Sequence, residues 1–184
     1  MSGSGLSPSV VVFTGVPGTG KSTLAEGLAS TSGSPVFSGD WLMGALEPAN
    51  KVLAQLDRES YLRMHYGLLE TLMTRQLMFQ QAAIIDGVVS DAVLEGWQQI
   101  VDGYGAKLYV IECICSDAGE HRRRVEGRVR GIPGWHEIDW GHVERMRGEL
   151  KPLDTARLTL DAMGSVELNL RRTQDYISES GPTR

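Results

Sequence analysis

Cysteine and positive charge are both scarce in this sequence. The 184 residues include two cysteines, Cys113 and Cys115, too few for a disulfide framework or a cysteine zinc site. Acidic residues outnumber basic ones by 23 to 18, which gives a net charge of -5. Because surfaces that bind polynucleotides are usually basic, this balance argues against nucleic acid as a partner and favours a small molecule.

Long apolar runs are missing as well. No stretch of the sequence reaches the roughly 20 apolar residues that a membrane-spanning helix needs. The segment Met1–Ser9 is rich in glycine and serine and lacks the basic and apolar regions of a signal peptide. We therefore expect a cytoplasmic protein without membrane attachment. We also expect residues 1–184 to form one domain, in a monomer or a homodimer.

Short apolar segments alternate with longer segments of helical periodicity. The short segments are rich in β-branched residues and predict five strands: Val10–Thr14, Val36–Ser38, Ala82–Ile85, Lys107–Cys113 and Leu158–Leu160. The longer segments predict helices at Lys21–Ser30, Asp40–Leu46, Arg58–Gln81, Asp91–Val101, Asp117–Arg130, Ile138–Leu150 and Val166–Ile177. This alternation predicts an α/β fold in which helices cover both faces of a parallel sheet. Ligands of such folds bind where the carboxyl ends of the strands meet.

A glycine-rich turn joins the first predicted strand to the first predicted helix. Gly15–Ser22 reads Gly-Val-Pro-Gly-Thr-Gly-Lys-Ser, which matches the phosphate-binding pattern G-x-x-x-x-G-K-[ST] without a mismatch. The glycines let the backbone aim its N–H groups at phosphate oxygens, Lys21 can reach the terminal phosphates, and the Ser22 hydroxyl can bind Mg²⁺. The pattern predicts ATP and Mg²⁺ as ligands, with nucleotide contacts from Gly15, Val16, Pro17, Gly18, Thr19, Gly20, Lys21, Ser22 and Thr23.

Two aspartates are expected at the same edge of the sheet as this loop. Asp40 lies two residues after the second predicted strand, where it could bind an acceptor and take its hydroxyl proton, cap the helix that begins at Trp41, or do both. Asp86 ends an apolar strand, as the acid of a Walker-B strand does. It could hold Mg²⁺, contact the acceptor, or form the turn before Gly87. We interpret both aspartates as site residues and expect Trp41 in the acceptor pocket.

The helix predicted after the fourth strand contains five arginines. Arg124 and Arg128 are four residues apart, so we expect them on one helix face, with Arg130 as a further candidate. Two guanidinium groups there could hold the triphosphate and neutralise the charge that develops in phosphoryl transfer.

The segment that follows, Gly131–Trp140, is predicted to be a loop with glycines on either side of its Pro133. Closing such a loop over a site excludes water, which would otherwise compete with the acceptor. We predict a mobile lid over about residues 119–140 and place Trp135 among the residues that contact the acceptor.

The loop at Gly15–Thr23, the strand-end aspartates and the arginine pair together resemble the small-molecule P-loop kinases of the adenylate-kinase-like group. This group includes shikimate kinase, gluconate kinase, chloramphenicol phosphotransferase and the kinase domain of polynucleotide kinase. The chain looks most like proteins described as predicted kinases or AAA-family ATP-binding proteins. The resemblance implies a P-loop NTPase sandwich of three layers, with a five-stranded parallel sheet in the order 2-3-1-4-5. It also implies Mg-ATP as the phosphate donor and a hydroxyl as the acceptor.

One position departs from the family pattern. Around Asp40 the family commonly reads Ser/Thr-x-Asp-x-x-Arg, and Ser38 and Asp40 match this pattern. Met43 stands where the arginine is usual, and in the family that arginine often contacts an anionic acceptor. The departure favours a neutral acceptor.

These observations predict an ATP-dependent kinase that transfers the terminal phosphate to a hydroxyl of a sugar, nucleoside, antibiotic or similar metabolite. The predicted catalytic residues are Lys21, Asp40, Arg124 and Arg128. The predicted metal ligands are Ser22 and Asp86, and the predicted acceptor contacts are Asp40, Trp41, Asp86 and Trp135. Two alternatives remain, a polynucleotide 5′-hydroxyl kinase and a non-enzymatic nucleotide switch. The acidic net charge argues against the first, and the acceptor carboxylate at Asp40 argues against the second.

Overall fold

The computed structural model of the protein describes residues 6–179, so both ends of the predicted 1–184 domain lie outside the described part. The described residues form one sheet of parallel strands in the order β2-β3-β1-β4-β5. The strands are β1 Ser9–Thr14, β2 Val36–Ser38, β3 Ala83–Asp86, β4 Lys107–Ile114 and β5 Leu158–Asp161. The predicted α/β fold and the strand order 2-3-1-4-5 are therefore confirmed.

Helices cover both faces of this sheet. They are α1 Lys21–Ser32, α2 Gly39–Ala45, α3 Asn50–Leu53, α4 Arg58–Met78, α5 Asp91–Gly103, α6 Ala118–Gly127, α7 Trp140–Glu149 and α8 Val166–Glu179. A 3-10 turn at Glu47–Ala49 lies between α2 and α3. No helix within residues 6–179 is both long enough and apolar enough to cross a membrane.

The central strand β1 is buried on both faces, as its continuous apolar run predicts. Because neighbouring side chains of a strand point to opposite faces, Val10 and Val12 pack against α4 and α5, whereas Val11 and Phe13 pack against α1 and α8. The two hydrophobic clusters make the three layers of the sandwich. Their rigidity fixes the position of the loop that follows β1 at Thr14.

Three helices, α4, α6 and α7, are shorter in the structure than predicted, and the difference at α6 bears on the site. Helix α6 ends at Gly127 rather than Arg130, and Arg128 has an extended backbone with φ -94° and ψ 144°. Glycine is a poor helix former, and a second glycine follows at Gly131 with a positive φ of 61°. The following helix, α7, begins at Trp140 rather than Ile138, because the Asp139 side chain accepts a hydrogen bond from the N–H of His142 and caps it.

Candidate nucleotide and acceptor site

The carboxyl ends of the central strands open onto one cavity of about 740 Å³. The loop after β1, Asp40 after β2 and Asp86 at the end of β3 all line it. A cavity of this volume is within the range of sites for drug-sized ligands, roughly 300–1,000 Å³. The structure thus brings together the three features that the sequence analysis placed at this edge of the sheet.

The loop between β1 and α1 has the backbone that its glycines predict. Gly15, Gly18 and Gly20 have positive φ angles of 126°, 88° and 86°. A side chain at Gly15 would collide with the carbonyl oxygen of Cys113 on β4, and one at Gly18 would meet Val125 of α6. Only glycine fits these positions, because both the φ angle and the available space exclude a Cβ atom.

Lys21 begins α1 and turns back along this loop. Its Nζ donates a hydrogen bond to the Val16 carbonyl oxygen at 3.0 Å. Burial lowers the pKa of Lys21, while the negative charge of Asp86 acts in the opposite direction. A bound triphosphate would add negative charge beside the ammonium group and favour its charged form.

Ser22 and Asp86 are side by side in the cavity. The Ser22 hydroxyl donates to Asp86 Oδ2 at 2.6 Å, and Asp86 is buried. Within residues 6–179, no group of three or more His, Cys, Asp or Glu side chains could hold a metal ion. A hydroxyl beside one carboxylate, with room for phosphate and water oxygens, fits Mg²⁺, which is commonly bound by one or two protein ligands together with substrate phosphates.

Asp40 lies in the first turn of α2, beside the loop. The helix begins at Gly39 with Ser38 at the N-cap position, so Asp40 does not cap a helix that starts at Trp41. Its Oδ2 accepts a hydrogen bond from Arg130 Nη1 at 2.6 Å. Both residues are site candidates in the sequence, but no sequence pattern indicates this ion pair, which joins positions 90 residues apart.

Arg124 and Arg128 line the same cavity but not as residues of one helix face. Arg124, on α6, donates to Glu120 at 2.7 Å and to the Ala162 carbonyl oxygen at 3.0 Å, while Arg128 lies beyond the end of α6. The expectation of a shared helix face is therefore wrong, because α6 ends at Gly127. Arg128 Nε and Nη2 are buried and find no hydrogen-bond partner within residues 6–179. Unpaired buried guanidinium nitrogens are costly, so they point to an anionic ligand such as a phosphate.

Two histidines that the sequence analysis did not assign to the site prove to be close to it. His121 of α6 is fully buried, and its Nε2 and Nδ1 lie 2.7 Å from the Pro17 carbonyl oxygen and 2.6 Å from Arg147 Nη2. A carbonyl can only accept and an arginine can only donate, so the proton of the neutral ring is on Nε2. His65 of α4 lines the cavity, with its ring against Gly39. Sequence spacing gives no sign of either contact.

Another part of the cavity wall is largely aromatic. We call this part the aromatic end, defined by Trp41, Tyr61, Leu62, His65, Tyr66 and Trp135. We call a second part the phosphate end, defined by the cavity-lining residues of the loop Gly15–Thr23 together with Asp86, Arg124 and Arg128.

The predicted acceptor residues Trp41 and Trp135 are both at the aromatic end, although Trp41 is 53% exposed. Asp40 lies between the two ends, since its charge acts on the pKa of Lys21 and also on those of Tyr61 and His65.

The fold and the glycine loop define a P-loop nucleotide-binding protein. The chain belongs to the AAA domain family, whose model matches residues 11–135, more than half of the chain. No sequence relative is found among curated proteins.

Three solved structures have similar folds. A sugar kinase from a Janibacter species has a TM-score of 0.70 at 19% identity, covering 94% of this chain and 95% of its own. A gluconokinase from Sinorhizobium meliloti has a TM-score of 0.69 at 15% identity, and the match covers 95% of this chain and 94% of the gluconokinase. An APS kinase from Mycobacterium tuberculosis, in complex with AMPPNP and APS, has a TM-score of 0.59 at 17% identity. The match covers 95% of this chain and 99% of the APS kinase. The chain therefore shares the fold of small P-loop kinases.

Proposed function

We propose that this protein is an ATP-dependent kinase that transfers the terminal phosphate of ATP to a hydroxyl group of a small molecule. The observation that carries the proposal is the position of Asp40. Its carboxylate lines the same cavity as the phosphate loop and the aromatic end, and its charge acts on Lys21 of the loop and on Tyr61 and His65 of the aromatic end. A nucleotide switch has no use for a carboxylate and a second ligand chamber beside the terminal phosphate, whereas a kinase needs both. The similar folds of a sugar kinase and a gluconokinase support this assignment by analogy.

The phosphate end would hold the nucleotide. Backbone N–H groups of the loop and the N-terminus of α1 attract the phosphates, and Lys21 and Arg128 add two positive charges. Ser22 and Asp86 would hold Mg²⁺ directly or through water. When bound, the ion neutralises charge on the terminal phosphates.

Asp40 would then act on the acceptor. Arg130 fixes its carboxylate through Oδ2, and Oδ1 would take the hydroxyl proton. The acceptor oxygen forms a bond to the terminal phosphorus, the bond from that phosphorus to the oxygen of the departing ADP breaks, and the proton passes to Asp40. Fixing the carboxylate in advance lowers the entropic cost of reaching the reactive geometry.

Residues of the predicted lid, about 119–140, would close this site. Gly44 of α2 packs against Pro133, Ile132 and Trp135, and the last two of these line the cavity. Closure around the acceptor would exclude water and so favour transfer over hydrolysis of ATP. The same segment delivers Arg130 to Asp40, so closing the lid would also complete the catalytic group.

The direct test is a search for phosphorylated products. The protein is incubated with Mg²⁺, ATP labelled in its terminal phosphate and pools of neutral, acidic and nucleoside alcohols, with the Lys21→Ala variant as the blank. We expect a labelled small molecule that forms with the wild type and not with the variant. Labelled ends on added oligonucleotides would favour a polynucleotide kinase instead. ATP hydrolysis that no alcohol changes would contradict the proposal.

A further inference from the structure

The walls of the aromatic end consist mostly of aromatic rings, and the Tyr66 hydroxyl already donates to the Val88 carbonyl oxygen. Tyr61, Leu62 and His65 have the spacing of one face of α4, and all line the cavity. Met146 and Leu150 contribute apolar side chains from the opposite side. Walls of this kind bind an apolar body by removing it from water, and their rings favour stacking with another ring.

Two arginines that line the cavity, Arg130 and the largely exposed Arg58, already have carboxylate partners. Arg130 donates to Asp40 at 2.6 Å, and Arg58 donates to Glu149 at 3.0 Å, where α4 meets α7. An acceptor with its own carboxylate or phosphate would have to compete with these partners for the arginines. Such an acceptor would also lie near the negative charge of Asp40, which an uncharged acceptor would tolerate without repulsion.

Trp135 presents a polar atom with no partner in the protein. Its Nε1 is buried, and residues 6–179 supply no hydrogen-bond acceptor for it. The Cβ atom of Trp135 packs against Gly44, and its ring lies against the tilted ring of His136, with 4.8 Å between the ring centres. A buried indole N–H usually finds an acceptor, because leaving it unpaired is costly. An oxygen atom of a ligand would supply that acceptor.

We propose that the aromatic end binds an uncharged alcohol with a flat apolar body, and that Trp135 Nε1 donates a hydrogen bond to an oxygen of this molecule. The inference rests on the proposed function, because it names the acceptor class of the same site.

The test uses three probes with related hydroxyl groups: phenyl β-D-glucoside, glucose and gluconate. Their dissociation constants are measured by calorimetry with the protein in complex with Mg²⁺ and a non-hydrolysable ATP analogue. We expect the phenyl glucoside to bind at least about tenfold more tightly than the other two, since a buried ring removes much more apolar surface from water. Equal binding of the three probes, tighter binding of gluconate, or no binding of the phenyl glucoside would overturn the inference.

Two matched variants test the role of Trp135. Trp135→Phe keeps a ring and removes the N–H, and we expect it to weaken phenyl glucoside binding about tenfold. Trp140→Phe makes the same change on α7 at a side chain that is not among those lining the cavity, and we expect a change of less than about twofold. Equal losses in both variants, or no loss in Trp135→Phe, would overturn the role of this hydrogen bond.

The outcomes separate this inference from the proposed function. If the phenyl glucoside binds selectively but no alcohol is phosphorylated, the binding preference stands and the kinase assignment fails. If gluconate is bound tightly and phosphorylated, the kinase assignment stands and the acceptor class is overturned.

Discussion

The two ends of the cavity are built in different ways. The phosphate end is made largely from the continuous segment Gly15–Thr23, which follows the buried strand β1. The aromatic end is assembled from α2, α4 and the loop between α6 and α7, three segments that are separate in the sequence. Local backbone geometry defines the phosphate end, and tertiary packing defines the aromatic end. The phosphate end therefore suits a ligand that is common to a whole family. The aromatic end is free to differ from one family member to the next.

The electrostatics differ in the same way. At the phosphate end Lys21 and Arg128 both have lowered pKa values because of burial, and Arg128 has unpaired nitrogens. Both are suited to an incoming anion. Elsewhere in the cavity Arg130 and Arg58 already have carboxylate partners. Substitutions at the two ends test this difference.

Removing the ammonium group at the phosphate end should have the largest effect. We expect Lys21→Ala to lower acceptor-dependent turnover at least about a thousandfold, because a positive charge on the transferring phosphate stabilises the transition state. Turnover is measured by coupled ADP release. The matched change of an exposed lysine, Lys151→Ala, should leave turnover unchanged. Wild-type turnover in Lys21→Ala would show that the loop does not serve phosphoryl transfer.

Neutralising the carboxylate between the two ends should affect turnover but not nucleotide binding. We expect Asp40→Asn to lower turnover by about a hundredfold or more, since general base catalysis contributes typically about 10²–10⁴-fold. ATP affinity, measured by calorimetry, should stay within about threefold of the wild type. Unchanged turnover would remove Asp40 from the role of base.

A companion variant separates the base from its partner. Arg130→Gln keeps the carboxylate and removes the ion pair that fixes it, so a smaller loss of turnover is expected. If Arg130→Gln and Asp40→Asn lose turnover equally, Asp40 acts through the ion pair rather than as the proton acceptor.

Adding a methyl group at the aromatic end should disturb packing there alone. A Cβ at Gly39 would collide with the ring of His65, so we expect Gly39→Ala to reduce the free energy of unfolding by about 1–3 kcal/mol. Denaturation by urea measures the change. The double variant with His65→Ala should recover most of the loss, because it removes the colliding ring.

A glycine on α4 provides the control for this experiment. A Cβ at Gly67 meets no atom within 4 Å among the described residues, so Gly67→Ala should stabilise the helix by up to about 1 kcal/mol. Failure of His65→Ala to recover Gly39→Ala would show that the collision lies elsewhere.

The smallest effect is expected from the buried histidine below the phosphate loop. Burial lowers the pKa of His121, and the facing charges of Arg147, Lys21 and Arg124 lower it further. The unfolded chain therefore binds a proton near the ordinary pKa of about 6.5, while the folded chain does not. Stability should fall as the pH drops below that value, by at most about 1.4 kcal/mol per pH unit.

Replacing this histidine tests the origin of the slope. In His121→Gln the dependence of the unfolding free energy on pH, between about pH 6.5 and 5, should become shallower. Some slope should remain, because burial also lowers the pKa of His65. An identical slope in the variant and the wild type would mean that His121 does not contribute.

The fold and the phosphate loop Gly15–Thr23 can be predicted from the sequence. The buried run in β1, the alternation of strands with helices and the motif at Gly15–Ser22 are local patterns. Each depends on backbone geometry and burial within a few residues, and this is why they can be recognised along the chain. The placement of Asp40 and Asp86 at the same edge follows from the parallel sheet alone.

Only the tertiary structure decided how the aromatic end is assembled. Two contacts join segments that are far apart in sequence: the ion pair of Asp40 with Arg130 and the packing of His65 against Gly39. The burial of Trp135 Nε1 without a partner is also a result of tertiary packing. Helix α6 ends at Gly127, so Arg128 does not lie on the predicted helix face. Side-chain packing between distant segments has no periodic signature, so composition and spacing could name some of these residues but not their partners.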